Sequence, residues 1–180
     1  MNRFLTDMSA QLAGQHAPRE QLREALAKDE LKLYCQPIAA LSGAVRFPIA
    51  EVPVRMRSEE EALLPPGDFL PAFDQFGLMT DLDGWVVREV IGHLSRGSRM
   101  SRFSINVSGQ SLADDTFPQT VATELVSSGV PGTALLFEVS EADCLARLES
   151  ALRFGKAIRA GYVQGFGVTH PHPLEILAVR

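Results

Sequence analysis

Positive charge is scarce and scattered: 17 Lys and Arg stand against 22 Asp and Glu, for a formal net charge of −5. No basic run supplies the footprint that nucleic acid demands, so nucleic acid is not an expected partner. Long apolar runs are missing too. None approaches the ~18 residues of a spanning helix, and the N-terminus lacks the uninterrupted apolar core of a secretion signal. The expectation is a cytoplasmic protein without membrane contact. Cysteine is rare: Cys35 and Cys144 sit in apolar stretches at no metal-ligand spacing, which reads as two reduced, buried thiols rather than a disulfide. What remains is ordinary, with 46% hydrophobic, 22% charged and 7% aromatic residues. At 180 residues folding buries roughly 70% of the surface the unfolded chain exposes, so a core forms without metal or cross-link.

Near the N-terminus, Phe4, Leu5, Met8 and Leu12, then Leu22 and Leu26, recur at helical spacing with Gly14 and Pro18 between them. Two helical pieces are expected, the second with Pro18 in its first turn, where a missing N–H costs little. Residues 31–38 and 44–56 read as strands joined by a turn at Ser42 and Gly43. Pro48 and Pro53 place a bulge or an edge in the second. Residues 65–67 read as loop, 69–76 and 82–94 as helices. Strands at 102–108 and 134–140 then alternate with helices at 116–127 and 142–159, followed by a strand at 162–168 and a helix at 173–179. Short apolar strands alternating with helices imply parallel pairing and an α/β architecture.

The segments Gln36-Pro-Ile38, Glu51-Val-Pro-Val-Arg55, Pro71-Ala-Phe73, Gly77-Leu78, Trp85-Val-Val87, Ile105-Asn-Val-Ser108 and Phe137-Glu-Val-Ser-Glu141 resemble, in order and spacing, the EAL-domain family of bacterial phosphodiesterases that linearise cyclic di-GMP. Val163-Gln-Gly-Phe166, His170-Pro171 and Pro173-Leu-Glu-Ile-Leu177 are similar to that family's closing segment. The departures matter as much. The name-giving Glu-Ala-Leu is Glu51-Val-Pro53 here, and the family's double-aspartate loop (DDFGTG), lysine strand (KID) and late glutamate strand (EGVE) have no counterpart. The resemblance implies a TIM-like barrel, yet a closed one needs roughly 250 residues. The expected fold is therefore an incomplete TIM-barrel-like α/β fold with about five strands, parallel with the first left open, and helices outside. Residues 1–21 would form an N-terminal helix or linker and 22–180 the truncated domain.

In that family two divalent ions activate a water for attack on phosphorus, a task for several hard oxygen ligands at strand ends. The resemblance places Glu51, Asn106 and Glu138 at metal-ligand positions. Two readings stand for them: vestigial strand-end polar groups, or one Mg²⁺ site. Gln36 and Arg55 match positions that contact a guanine edge and a phosphate of the dinucleotide, although an arginine near a strand end is also ordinary surface. Glu141 reads as an exposed helix-start carboxylate complementing the macrodipole. His170 and His172 have no ligand partner at suitable spacing. The serines form no G-x-S-x-G elbow, and Gly165-Phe-Gly167 is no phosphate loop.

The expected function is thus a catalytically inactive EAL-like regulator or scaffold acting through protein contacts. The alternatives are a cyclic di-GMP receptor that binds without hydrolysis, or a phosphodiesterase completed by another chain. A homodimer is expected, because so few strands should leave the apolar faces of Phe103, Ile105, Val107, Leu135, Phe137 and Val139 partly uncovered. The short junction at 159–161 would suit exchange of the C-terminal segment between copies.

Overall fold

The computed structural model describes residues 18–28, 30–38, 49–57 and 63–158. The first helix, α1 (Pro18–Ala27), opens on its proline, as expected. The chain beyond it does not run as two long strands. Residues 31–38 divide into β1 (Leu31–Leu33) and β2 (Gln36–Pro37), and the next stretch yields β3 (Ile49–Glu51) and β4 (Val54–Arg57). Both divisions serve one topological switch. β1 and β4 pair antiparallel, and with β5 (Leu63–Leu64) they form one small sheet in the order β1-β4-β5. β2 and β3 belong to another. Pro53 lies at the crossing rather than at an edge, because its missing N–H falls where the strand changes sheets. Its carbonyl accepts a hydrogen bond from the Tyr34 N–H at 2.9 Å, which ties the two crossings together. The turn at Ser42, the site of Pro48 and the expected elements at 2–13, 162–168 and 173–179 lie outside the described residues.

Two helices follow. α2 (Pro66–Gln75) starts at Pro66, not in a loop; proline at the first helical position gives up an N–H that had no intrahelical partner. α3 (Met79–Ser95) buries Leu82, Val86, Val87, Val90 and Ile91 along one stripe. The main sheet is then completed by β6 (Arg102–Val107) and β7 (Leu135–Val139), with α4 (Gly109–Ala113) and α5 (Phe117–Ser128) between them. α5 stops at Gly129, whose φ of 70° is the left-handed region that glycine enters without strain. The strand order is β2-β3-β6-β7, with β2 antiparallel to β3 and the β3–β6 and β6–β7 pairs parallel. The parallel core with a reversed first strand agrees with the sequence reading; the separate antiparallel sheet was not foreseen. The long helix expected over 142–159 is two, α6 (Glu141–Ala146) and α7 (Leu148–Ala157), because Arg147 leaves helical conformation at φ −135°, ψ 44°.

The core lies between the main sheet and its helices. Ala50, Phe103, Ile105, Val107 and Leu135 are buried on one sheet face. Phe137 and Val139 pack against the same cluster. Of the six side chains expected to be left partly uncovered, the structure corrects four: Phe103, Ile105, Val107 and Leu135 are buried within one chain, whereas Phe137 and Val139 are half-buried. Phe154 of α7 stacks on Phe117 of α5 at 5.9 Å and meets Phe137 edge-on at 5.5 Å. Beneath α2, Phe69 and Phe73 meet edge-to-face at 6.1 Å, both fully buried. Phe73→Ala removes a ring with no route for solvent to refill the space. It should cost about 3–5 kcal/mol, read from the urea midpoint of the purified protein at unchanged denaturant slope.

Candidate functional site

Side chains alternate across a strand, so the face opposite the core collects a second set of residues. Register places Gln36 opposite Glu51, Glu51 opposite Ser104, and Asn106 opposite Glu138. In parallel pairs such partners share a face, and residues two apart on one strand share it as well. Gln36, Glu51, Ser104, Asn106, Leu136 and Glu138 therefore form one polar surface toward the C-terminal ends of β3, β6 and β7. Four of the five sequence candidates, Gln36, Glu51, Asn106 and Glu138, are brought together there. Arg55 is not: it belongs to β4 in the other sheet, and its Nη1 donates to the Val54 carbonyl at 2.9 Å.

The four differ in setting. Gln36, Asn106 and Glu138 are exposed and Glu51 is half-buried. Ser104, which the sequence reading passed over, is buried on this face, and its hydroxyl donates to Glu138 Oε1. One carboxylate oxygen of Glu138 is thus engaged by the neighbouring strand. Glu141 is exposed in the first turn of α6, as anticipated. Two carboxylates and one amide suit a single hard cation in kind. A pair of ions would share these three side chains, with water or substrate oxygens filling the rest of each shell. Among the described residues no group of three or more His, Cys, Asp or Glu side chains could hold a metal ion.

The loops that carry this rim repeat one device. Ser108, directly after β6, caps α4 by accepting from the Ser111 N–H at 3.2 Å. Ser140, directly after β7, caps α6 by accepting from the Asp143 N–H at 3.0 Å. Both strands end in Val-Ser, so the serine three residues before a helical donor was a readable signal. A further group was not readable. Asp83, on α3 and only 5% exposed, accepts from the Ser108 N–H at 2.8 Å and the Ser111 hydroxyl at 2.6 Å. It clamps the turn two residues beyond Asn106. Gln110 makes a second tie, donating to the Asp74 carbonyl and carboxylate at 2.8 Å and accepting from the Met79 N–H at 3.2 Å. The two cysteines are free thiols, Cys35 exposed and Cys144 half-buried, rather than core residues.

With this geometry in view, comparison with known proteins is decisive. The sequence profile described as "EAL domain" matches residues 19–169. The chain belongs to the EAL domain family. It is 30% identical over 147 residues to the Escherichia coli (strain K12) protein named cyclic di-GMP phosphodiesterase PdeF, an overlap covering 80% of this chain and 19% of that one. The EAL domain of FimX from Pseudomonas aeruginosa, solved bound to cyclic di-GMP, is similar with a TM-score of 0.72 and 26% identity, over 80% of this chain and 58% of that one. The S helix-GGDEF-EAL unit of LapD from Vibrio cholerae is similar in fold, with a TM-score of 0.70 at 20% identity, over 79% of this chain and 34% of that one. The chain therefore spans about a fifth of PdeF and little more than half of the FimX domain, with a partial EAL fold of mixed sheets and no closed barrel among the described residues.

Burial holds the Asp83 carboxyl above the ordinary aspartate range, against the opposing pull of hydrogen bonds from Ser111 and Ser108. A carboxyl raised in this way binds its proton more tightly in the folded chain. It therefore detracts from stability as pH climbs from the ordinary aspartate value through the raised one. Asp83→Asn keeps an oxygen for both donors and removes the charge. The variant should gain on the parent as pH rises through that window, and the difference should shrink below it, in urea midpoints taken across a pH series. Asp83→Ala, which strands the Ser108 N–H and the Ser111 hydroxyl, should cost about 1–3 kcal/mol at neutral pH.

Proposed function

We propose that this EAL-family chain is a non-hydrolysing module of cyclic di-GMP signalling, a cytoplasmic regulator or scaffold that works as a homodimer through protein contacts. Its truncated domain begins within α1, at residue 22, and runs to residue 180. The observation that carries the reading is the composition of the rim. Glu51, Asn106 and Glu138 persist there, Glu138 is engaged by Ser104, and the sequence holds no DDFGTG, KID or EGVE segment. In-line attack on a phosphodiester needs charge stabilisation on both the entering and the leaving oxygen. Three donors on one sheet face would hold at most one Mg²⁺, whose part would be to polarise a phosphoryl oxygen. No second group is at hand for the water. The free thiol of Cys35, open to solvent, fits a reducing compartment.

A second reading has an observation of its own in its favour. The FimX domain that this fold resembles was solved with cyclic di-GMP bound, and Gln36 and Arg55 match nucleotide-contacting positions. Under this reading the chain is a receptor without turnover. Against it, Arg55 lies in the other sheet with one guanidinium nitrogen already donating to the Val54 carbonyl.

The two readings share one expectation. Incubation with cyclic di-GMP and Mg²⁺ or Mn²⁺ should yield no linear dinucleotide, since loss of a single well-placed electrostatic group already costs about 10²–10³-fold in rate. Product that forms in proportion to purified protein, and that Glu51→Ala abolishes, overturns the proposal in favour of a phosphodiesterase. Calorimetry separates the readings. The scaffold predicts binding of cyclic di-GMP no tighter than tens of micromolar, because at most one charge-assisted contact remains. Submicromolar affinity that falls at least tenfold in Arg55→Ala establishes the receptor instead.

A further inference from the structure

A cleft of about 570 Å³ lies between α1, the first half of α3 and the start of α5. Its volume falls in the range of small-molecule sites, and none of its lining residues belongs to the polar rim. Leu26, Trp85 and Phe117 give it an apolar wall. At its base is Gly84, buried in the interior of α3. Glycine is a poorer helix former than alanine, so a position that keeps it calls for a reason. Packing within the chain is not that reason. Apart from its own helix backbone, a Cβ at Gly84 would meet only the Arg88 guanidinium, at 3.5 Å, an ordinary contact. The missing side chain leaves helix backbone open at the base of the cleft, where the flat face of a ligand can approach it closely.

The charges around the cleft say what kind of ligand. Arg23, Arg88, Asp81 and Asp114 all line it, and three of them are already engaged. Arg23 and Asp81 lie 4.0 Å apart. One oxygen of Asp114 accepts the Thr116 N–H at 2.8 Å and the Thr116 hydroxyl at 2.7 Å, bonds that hold its carboxyl below the ordinary range and so keep it ionised. Arg88 is the exception, with no hydrogen bond or ion pair among the described residues. Its guanidinium folds back over Gly84, one turn earlier on α3, which sets the charge at the base of the cleft. A guanidinium offers paired donors to an oxyanion and also stacks on flat rings. A second negative charge on the ligand would meet Asp81 and Asp114, so the cleft suits one charge on a flat apolar body.

We propose that the cleft between α1, α3 and α5 binds a small aromatic monoanion, its oxyanion on Arg88 and its ring against the Gly84 backbone and Trp85. Trp85 is the only tryptophan of the chain, so its quenching by a bound naphthalene reads occupancy, and substitutions assign the place. The probe is anilinonaphthalene sulfonate, titrated against the full chain beside phenylnaphthylamine, which has the same rings and no sulfonate. The sulfonate should quench Trp85 saturably, at one probe per chain by calorimetry, and the neutral compound should bind at least tenfold more weakly. Arg88→Gln should weaken the sulfonate at least tenfold, the loss of a charge-assisted contact, and leave the neutral compound unchanged. Gly84→Ala puts a methyl into open space, so it should fold with a raised urea midpoint and weaken the sulfonate several-fold. The exposed leucines of α7 are the competing apolar surface, and Leu148→Ser/Leu152→Ser should leave the titration as it is. Absence of saturable quenching overturns the proposal. Equal affinity for the two compounds, or binding unmoved by Arg88→Gln and Gly84→Ala, overturns it as well and makes the signal unspecific apolar contact. Binding lost in Leu148→Ser/Leu152→Ser, with Arg88→Gln like the parent, overturns it in favour of α7. None of these outcomes bears on whether the rim holds an ion or a nucleotide.

Discussion

The parallel registers of β3 with β6 and of β6 with β7 are the constraint on which the polar rim depends. Because the side-chain period of a strand is two, the register that puts Asn106 beside Glu138 also puts Ile105 beside Phe137 on the opposite face. A slip by one residue would bury the amide and the carboxylate under α7 and turn the phenylalanine outward. Burial of Phe103, Ile105, Val107 and Leu135 against the helices forbids that slip. The core thus fixes which oxygens share a surface, before any ligand is considered. The hydroxyl of Ser104, buried between Glu51 and Glu138, adds a cross-strand tie on the polar side.

The rim is shaped from outside the sheet as well. Asp83 is a buried carboxylate on a helix, and each of its two bonds goes to a residue of the turn that follows β6. Burial of such a group without partners would be costly; here both donors approach one oxygen, and burial still prevails over them in setting its proton affinity. Nothing in the periodicity of α3 distinguishes Asp83 from the exposed Asp81 two positions earlier. The difference arises only when α4 packs against α3.

Much of the domain was legible. The helices of α3 and α5 and the strands β6 and β7 follow from unbroken apolar periodicity, and the family resemblance rested on short motifs at their ends. Legibility failed where the chain changes partners. Residues 31–38 alternate as one strand, but the sequence carries no mark that Leu31–Leu33 and Gln36–Pro37 pair with different neighbours. Arg147 has no helix-breaking character, so the division between α6 and α7 was invisible as well. The placing of Arg55 shows the cost: by motif it stands with Glu51, yet the switch at Val52 and Pro53 carries it to another sheet. The helices over the core were readable individually, but their cover over Phe103, Ile105 and Val107 was not, since that depends on how they pack.

At the centre of the proposed function stands a rim that holds no more than one ion. Manganese titration followed by electron paramagnetic resonance measures this directly, because free Mn²⁺ gives a sharp signal that binding broadens. The account predicts no more than one ion held per chain, lost on Glu51→Ala. Two ions per chain with the spectrum of a coupled pair would contradict it.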